Sequence, residues 1–171
     1  MRSALQQLAG EDLVELRLNQ SAVVKGIGAR EALEVLEVSR SVEALVVMLA
    51  VNRRTFGDVD ELDARLLELG RAIADGDPIA VDAREDELYA AILDTARHEV
   101  AKKTLIGLRA RLGYVNRDVN RDAGALNRRH FAYVALVDAI RFADAERGRE
   151  AMIQLARGTR DLVIDRLRSH V

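Results

Sequence analysis

The chain contains no cysteine, no tryptophan and a single proline, Pro78, and few of its residues are aromatic. Without cysteine there are no disulfides and no thiolate metal sites, which fits a reducing cytoplasm. A core with so few rings must be built from Leu, Val, Ile and Ala, and a chain nearly free of proline and rich in Ala, Leu, Glu and Arg suits helices. No apolar run approaches the roughly 20 residues of a membrane span. The opening MRSALQQLAGED turns polar too soon for a signal peptide. A formal net charge of −2 gives no general attraction to nucleic acid or anionic membrane, so any DNA contact must be local.

What remains is 171 residues, nearly half of them apolar: one ordinary domain, or a full domain plus a fragment of another. The organising stretch is residues 29–54. Its first half alternates acids with aliphatics so that Leu33, Leu36, Val42 and Leu45 share a helical face. Its second half, residues 44–51, is apolar all round, the pattern of a helix that finishes inside a bundle. Arg40 interrupts the stripe where burial should begin. Upstream, Val14, Leu16 and Leu18 alternate with Glu15 and Arg17, Asn19-Gln20-Ser21 offers a turn, and Ala22-Val23-Val24 returns, a pattern that predicts a β-hairpin after a short helix over residues 1–9. Gly26 and Gly28 read as a link.

Downstream the pattern predicts five more helices. Asp58 is a candidate cap for one carrying Leu62, Leu66, Leu69 and Ile73. Asp75-Gly76-Asp77-Pro78 stops it and puts proline at the first position of the next, with Ile79, Leu88, Ile92 and Leu93 inward. A fourth spans about 99–119 on Val100, Leu105, Leu108, Leu112 and Val115. The last two span 126–142 and 145–170. The expectation is all-α: an antiparallel bundle of about six helices, preceded by a winged-helix remnant (partial helix plus β-hairpin). Domain boundaries fall at 1–28 and 29–171.

No Ser-His-Asp order, glycine-rich phosphate loop or convergent carboxylate pair is present, which argues against an enzyme. Glu85, Asp86 and Glu87 fan around their helix. Arg40 either clamps an effector carboxylate, pairs with a core acid such as Glu85, or snorkels outward. Tyr89 and Tyr133 either line a cavity or fill it and bond to one another or to backbone. His98, His130 and His170 are isolated and read best as surface or helix-end residues. Arg128-Arg129 and Arg109/Arg111 form basic clusters of the kind usually found on solvated faces or in ion pairs.

Residues 2–24, RSALQQLAGEDLVELRLNQSAVV, resemble the end of the winged-helix DNA-binding domain of GntR-type bacterial transcriptional regulators. There a recognition helix V-R-E-A-L-x-x-L leads to E-G-L-V, a wing strand, a turn and A-x-V. EVSRSVEALVVMLA, ELYAAILDTA and YVALVDAIRFADAERGREAM resemble the effector-binding domain of the FadR subfamily. The resemblance implies a cytoplasmic, homodimeric, metabolite-responsive regulator whose helical domain binds a small organic-acid-like effector and whose other partner is operator DNA. It places Arg2 and Gln6 on the recognition helix and Asn19, Gln20 and Ser21 at the wing turn as DNA-binding residues.

Three departures follow. The chain begins inside the recognition helix, so the winged helix is expected to be truncated. Residues 1–30 hold Arg2, Arg17, Lys25 and Arg30 against Glu11, Asp12 and Glu15, a small phosphate-neutralising charge. The wing turn reads Gln20-Ser21 where the family usually has Arg-Gly. Many members hold a divalent metal through one carboxylate and three histidines; those positions fall here on Glu85, Tyr89, Tyr133 and Leu155, so the resemblance implies no metal and no cofactor. Effector binding then falls to Arg40, Glu85, Tyr89, Tyr133 and Leu155. The alternative is a stand-alone helical ligand-binding or dimerisation module that has lost DNA binding.

Overall fold

A computed structural model of the chain describes residues 14–15, 23–24, 27–112 and 123–168. Two short strands, β1 (Val14–Glu15) and β2 (Val23–Val24), pair antiparallel with Val14 opposite Val24 and Glu15 opposite Val23. Among the described residues this pairing is two residues long, which by itself does not support the expected winged-helix remnant. The expected helix over residues 1–9 and the turn at Asn19-Gln20-Ser21 lie outside the described residues, as do Arg2 and Gln6.

Among the described residues six helices follow: α1 (Ala29–Arg53), α2 (Phe56–Asp75), α3 (Pro78–Thr95), α4 (Glu99–Arg111), α5 (Ala123–Arg141) and α6 (Ala145–Arg168). Their ends are set by local chemistry. Thr55, not Asp58, caps α2: its hydroxyl accepts from the Asp58 amide at 3.2 Å while the Asp58 carboxylate accepts from the Thr55 amide at 2.6 Å, a reciprocal capping box. Gly76, in the left-handed region at φ 68°, closes α2. Asp77 then caps α3 by accepting from the amides of Ile79 and Ala80, with Pro78 in the first turn as expected. His98 sits at a helix end, its Nδ1 accepting from the Ala101 amide to cap α4.

The main core is aliphatic, as the scarcity of rings requires. Leu62 and Leu69 from α2 meet Leu88 and Ile92 from α3, and Leu136 and Ile140 from α5, all essentially inaccessible to solvent. Helix α6 packs along α5 and α1, and α2 packs along α3. A smaller cluster of Ala32, Val35, Leu36 and Leu112 ties the start of α1 to the end of α4, with Ile27 against it.

Four inward assignments are corrected. Leu45 and Met48 of α1 are exposed while Val46, Val47, Ala50 and Val51 are buried, because α1 packs one face against the other helices and leaves the opposite face to solvent. Ile79 and Val100 are also exposed. Each occupies the first turn of its helix, where the chain has only just entered the bundle and no neighbour covers that face.

Candidate functional site

Helical spacing turns pairs of chemically active side chains toward one interior point. Residues four apart share a face, so Glu85 and Tyr89 point together from α3, Arg129 and Tyr133 from α5, and Leu155 and Thr159 from α6. Each lies on the apolar stripe that its own helix buries. Ser39 and Glu43 of α1 stand on the stripe that continues into Val46 and Ala50, and Arg109 of α4 stands between Leu105 and Leu112. Ser39, Glu43, Tyr89, Arg109, Arg129, Tyr133, Leu155 and Thr159 help to line a cavity of about 50 Å³.

Behind its wall is the Glu85 carboxylate, 3 % exposed. A single oxygen, Oε1, accepts from the Tyr133 hydroxyl at 2.9 Å, from Arg109 Nη2 at 3.3 Å and from Arg129 Nη2. Burial by itself raises a carboxyl's pKa, but the Arg129 and Arg109 charges outweigh it here and hold Glu85 below the usual carboxylate range. Arg109 also donates through Nε to Asp86 at 3.0 Å, and its guanidinium lies 4.6 Å from the centre of the Tyr89 ring. The second acid behaves oppositely. Glu43, half-buried on α1, accepts from the Tyr89 hydroxyl at 3.1 Å; desolvation raises its pKa in spite of that bond and of the nearby arginines. Burial likewise raises both phenols, so Tyr89 and Tyr133 act as neutral donors.

Arg129 is the unbalanced member. Its side chain is 6 % exposed and gives Nη2 to Glu85, yet its Nε and Nη1 are buried with no hydrogen-bond partner among the described residues. A guanidinium carries five N–H donors and cannot shed its proton. Two donor atoms aimed at nothing in a buried place cost about 1–3 kcal/mol each unless an acceptor arrives.

Of the residues expected at the site, Glu85, Tyr89, Tyr133 and Leu155 converge. Tyr89, Tyr133 and Leu155 line the cavity, and Glu85 holds its wall through Tyr133. Among the described residues the tyrosines bond to neither each other nor backbone; each serves a different glutamate. Arg40 is exposed and stands at the cavity's edge, the outward-facing alternative of its sequence reading, and the arginines paired with Glu85 are Arg109 and Arg129. His130 packs against Gly70 of α2, where burial lowers its pKa. The sequence pattern does not single out Glu43, Arg109 or Arg129 for this site. A signal is available: all three interrupt apolar stripes at three- and four-residue spacing, as Arg40 does.

A divalent cation does not suit this donor set. Glu85 Oε1 already carries two guanidinium contacts, Glu43 is tied to the Tyr89 hydroxyl with its pKa raised by burial, and the remaining oxygens are neutral hydroxyls.

Among the described residues the fold is an all-helical bundle with a small charged cavity lined by five of its helices. The FCD domain family matches residues 34–158, which is most of the chain, and the protein belongs to it, among the GntR-type regulators. No curated protein matches the sequence significantly. Among solved structures, E. coli McbR/YncC superposes with a TM-score of 0.89 at 21 % identity, covering 97 % of this chain and 84 % of its own. Lar, which controls expression of the Listeria monocytogenes agr system, superposes at 0.76 with 12 % identity, over 96 % of this chain and 78 % of its own. Streptococcus agalactiae GntR superposes at 0.61 with 16 % identity, over 94 % and 80 %. Among the described residues no helix is long and apolar enough to cross a membrane.

Proposed function

We propose that this protein is a metabolite-responsive, DNA-binding transcriptional regulator of the GntR type, and that its helical domain, residues 29–171, binds a small organic acid without metal. One observation carries the effector reading: the two unpartnered donor atoms of Arg129 at the wall of a cavity in a domain of this family. A carboxylate is the acceptor that fits a planar fork of N–H groups. Arg129 and Arg109 would take the acid, Tyr89 and Glu43 would set its orientation, Leu155 would close the apolar side and Arg40 would draw anions to the edge.

The cavity is contributed by α1, α3, α4, α5 and α6, so a ligand that ties these helices favours one arrangement of them. In a homodimer, that preference changes the spacing of two DNA-reading heads on a palindromic operator. The DNA-reading residues would be Arg2, Gln6, Asn19, Gln20 and Ser21 of residues 1–28. The structural likeness to Lar and to Streptococcus agalactiae GntR supports a role in transcription control, within the cytoplasm.

The test is side-chain NMR of arginine Nε–H groups during titration with acetate, followed by operator gel shifts. The expected result is a saturable shift of the Arg129 signal, absent in Arg129→Gln, and an acid-dependent change in DNA retention. Binding of acid with no retention of any operator DNA would favour the stand-alone ligand-binding module. A titration that leaves the Arg129 signal unmoved at every acid concentration would defeat the effector reading.

A further inference from the structure

The inner cavity, at about 50 Å³, has room for roughly three or four waters. That admits an acid's head group and little more, whereas pockets that enclose a metabolite run to about 300–1,000 Å³. A groove of about 710 Å³ runs between α5 and α6, and Arg129 belongs to the walls of both. The groove floor is made of small apolar side chains, Ala132, Ala135 and Ala151. Its lining also carries the exposed ring of Phe131 and the arginines Arg147 and Arg157, which with Arg128 and Arg129 outnumber the carboxylates Glu150 and Asp161.

We propose that the cavity and this groove are one bipartite site, and that the effector is an amphipathic monoacid. Its carboxylate bonds to Arg129, and its extended apolar body lies on the alanine floor against Phe131. The proposal rests on the effector reading above and adds what that reading leaves open: the size and polarity of the rest of the ligand. Two features select this groove. The partnerless guanidinium atoms are nine-tenths buried and belong to the residue the two spaces share, so a carboxylate bonded there can leave its tail in the groove. The excess of cations in the groove lining also favours an anion approaching from this side. A second groove, between α1 and α6, shares with the cavity only the exposed Arg40 and the uncharged Met152.

The test is a calorimetric and NMR series with acetate, butanoate and hexanoate on the full chain. If the tail is buried in the groove, affinity rises by roughly fourfold for each added methylene. Phe131→Ser, at an exposed position that leaves the core intact, and Ala135→Met, which fills the floor, should flatten that rise while acetate still shifts the Arg129 signal. Ala44→Met, in the α1–α6 groove, should leave the series unchanged. Acetate binding at Arg129 with no gain from longer chains would overturn the bipartite site and leave the effector reading standing. The bipartite site is equally overturned if Ala44→Met, and not the α5–α6 variants, flattens the series. If acids of every length leave Arg129 untouched, both readings fail together.

Discussion

The Tyr133 hydroxyl donates across 2.9 Å to Glu85 Oε1, the oxygen that also takes Arg129. One buried carboxylate thus holds a neutral donor and a cation from successive turns of α5, and it draws Arg109 from α4 as well. Removing a single partner from a buried ion pair is costly because the other charge is stranded. Glu85→Leu should therefore destabilise the fold by about 3–5 kcal/mol, leaving Arg129 uncompensated and Tyr133 without its acceptor. Glu85→Leu combined with Arg129→Met should recover much of that loss. Chemical denaturation of both single variants and the double closes the cycle. A double variant as unstable as the sum of the singles would show that the pair is not coupled.

The two cavity acids should respond to pH in opposite senses. The pKa of Glu43 is raised in the fold above its ordinary 4.5, chiefly by desolvation. Folding therefore takes up a proton there, and the stability it contributes is present at low pH and lost as pH rises through the raised value. The pKa of Glu85 is lowered, because Arg129 and Arg109 outweigh its burial. Its contribution is present above its unfolded pKa and lost as pH falls through the lowered one. Glu43→Gln removes only the first effect. Its stability relative to the parent should improve from acid toward neutral pH, as read by urea denaturation at several pH values. A gap that stays constant with pH would mean that Glu43 ionises normally.

Much of this arrangement can be read from spacing alone. Apolar stripes recurring at three and four residues mark all six helices, and Asp77-Pro78 marks a start. The i,i+4 step from Glu85 to Tyr89 places both on one face. What spacing cannot supply is which charges meet. Arg129 lies 44 residues from Glu85 in sequence and 1 residue from Arg128, which is exposed. Adjacency suggests a basic surface cluster, yet the helical turn separates the two and buries only one. Arg40 also interrupts a stripe, but its side chain stands exposed at the cavity's edge, while Glu43, three residues on, is half-buried. Side-chain partners across helices are fixed by packing, and a single sequence carries that only through stripe membership.

The turn between α5 and α6 holds a correctable strain. Ala143 stands at φ 62°, a left-handed conformation that suits glycine at the end of a helix, while the neighbouring Asp144 amide donates to the Ala139 carbonyl at 2.9 Å. A non-glycine residue there costs about 1–2 kcal/mol, partly offset by the greater freedom that glycine has when unfolded. Ala143→Gly should stabilise the protein by a net of about 0.5–1 kcal/mol. A thermal melt of the variant checks this, and a lower midpoint would show that the Ala143 methyl group makes a contact worth more than the strain.

Gly148 marks the closest approach of α6 to α1. A Cβ added there would stand 2.7 Å from Val47 Cγ1 and 3.5 Å from the Ala139 Cβ. Val47 is 1 % exposed and branched at Cβ, so it has few rotamers into which it can retreat. Gly148→Ala must therefore push the helices apart, at a cost of about 1–3 kcal/mol. Gly107 of α4 is the matched control: it is helical, and an added Cβ meets nothing within 4 Å. Gly107→Ala should stabilise by about 0.5–1 kcal/mol through the lower entropy of the unfolded chain. Pairing Gly148→Ala with Val47→Ala separates clash from propensity. If the clash dominates, Gly148→Ala costs less in the Val47→Ala background than alone, because the space it needs has been vacated. Equal costs in both backgrounds would place the constraint in the helix backbone instead, and the α1–α6 contact would not be what keeps glycine at this position.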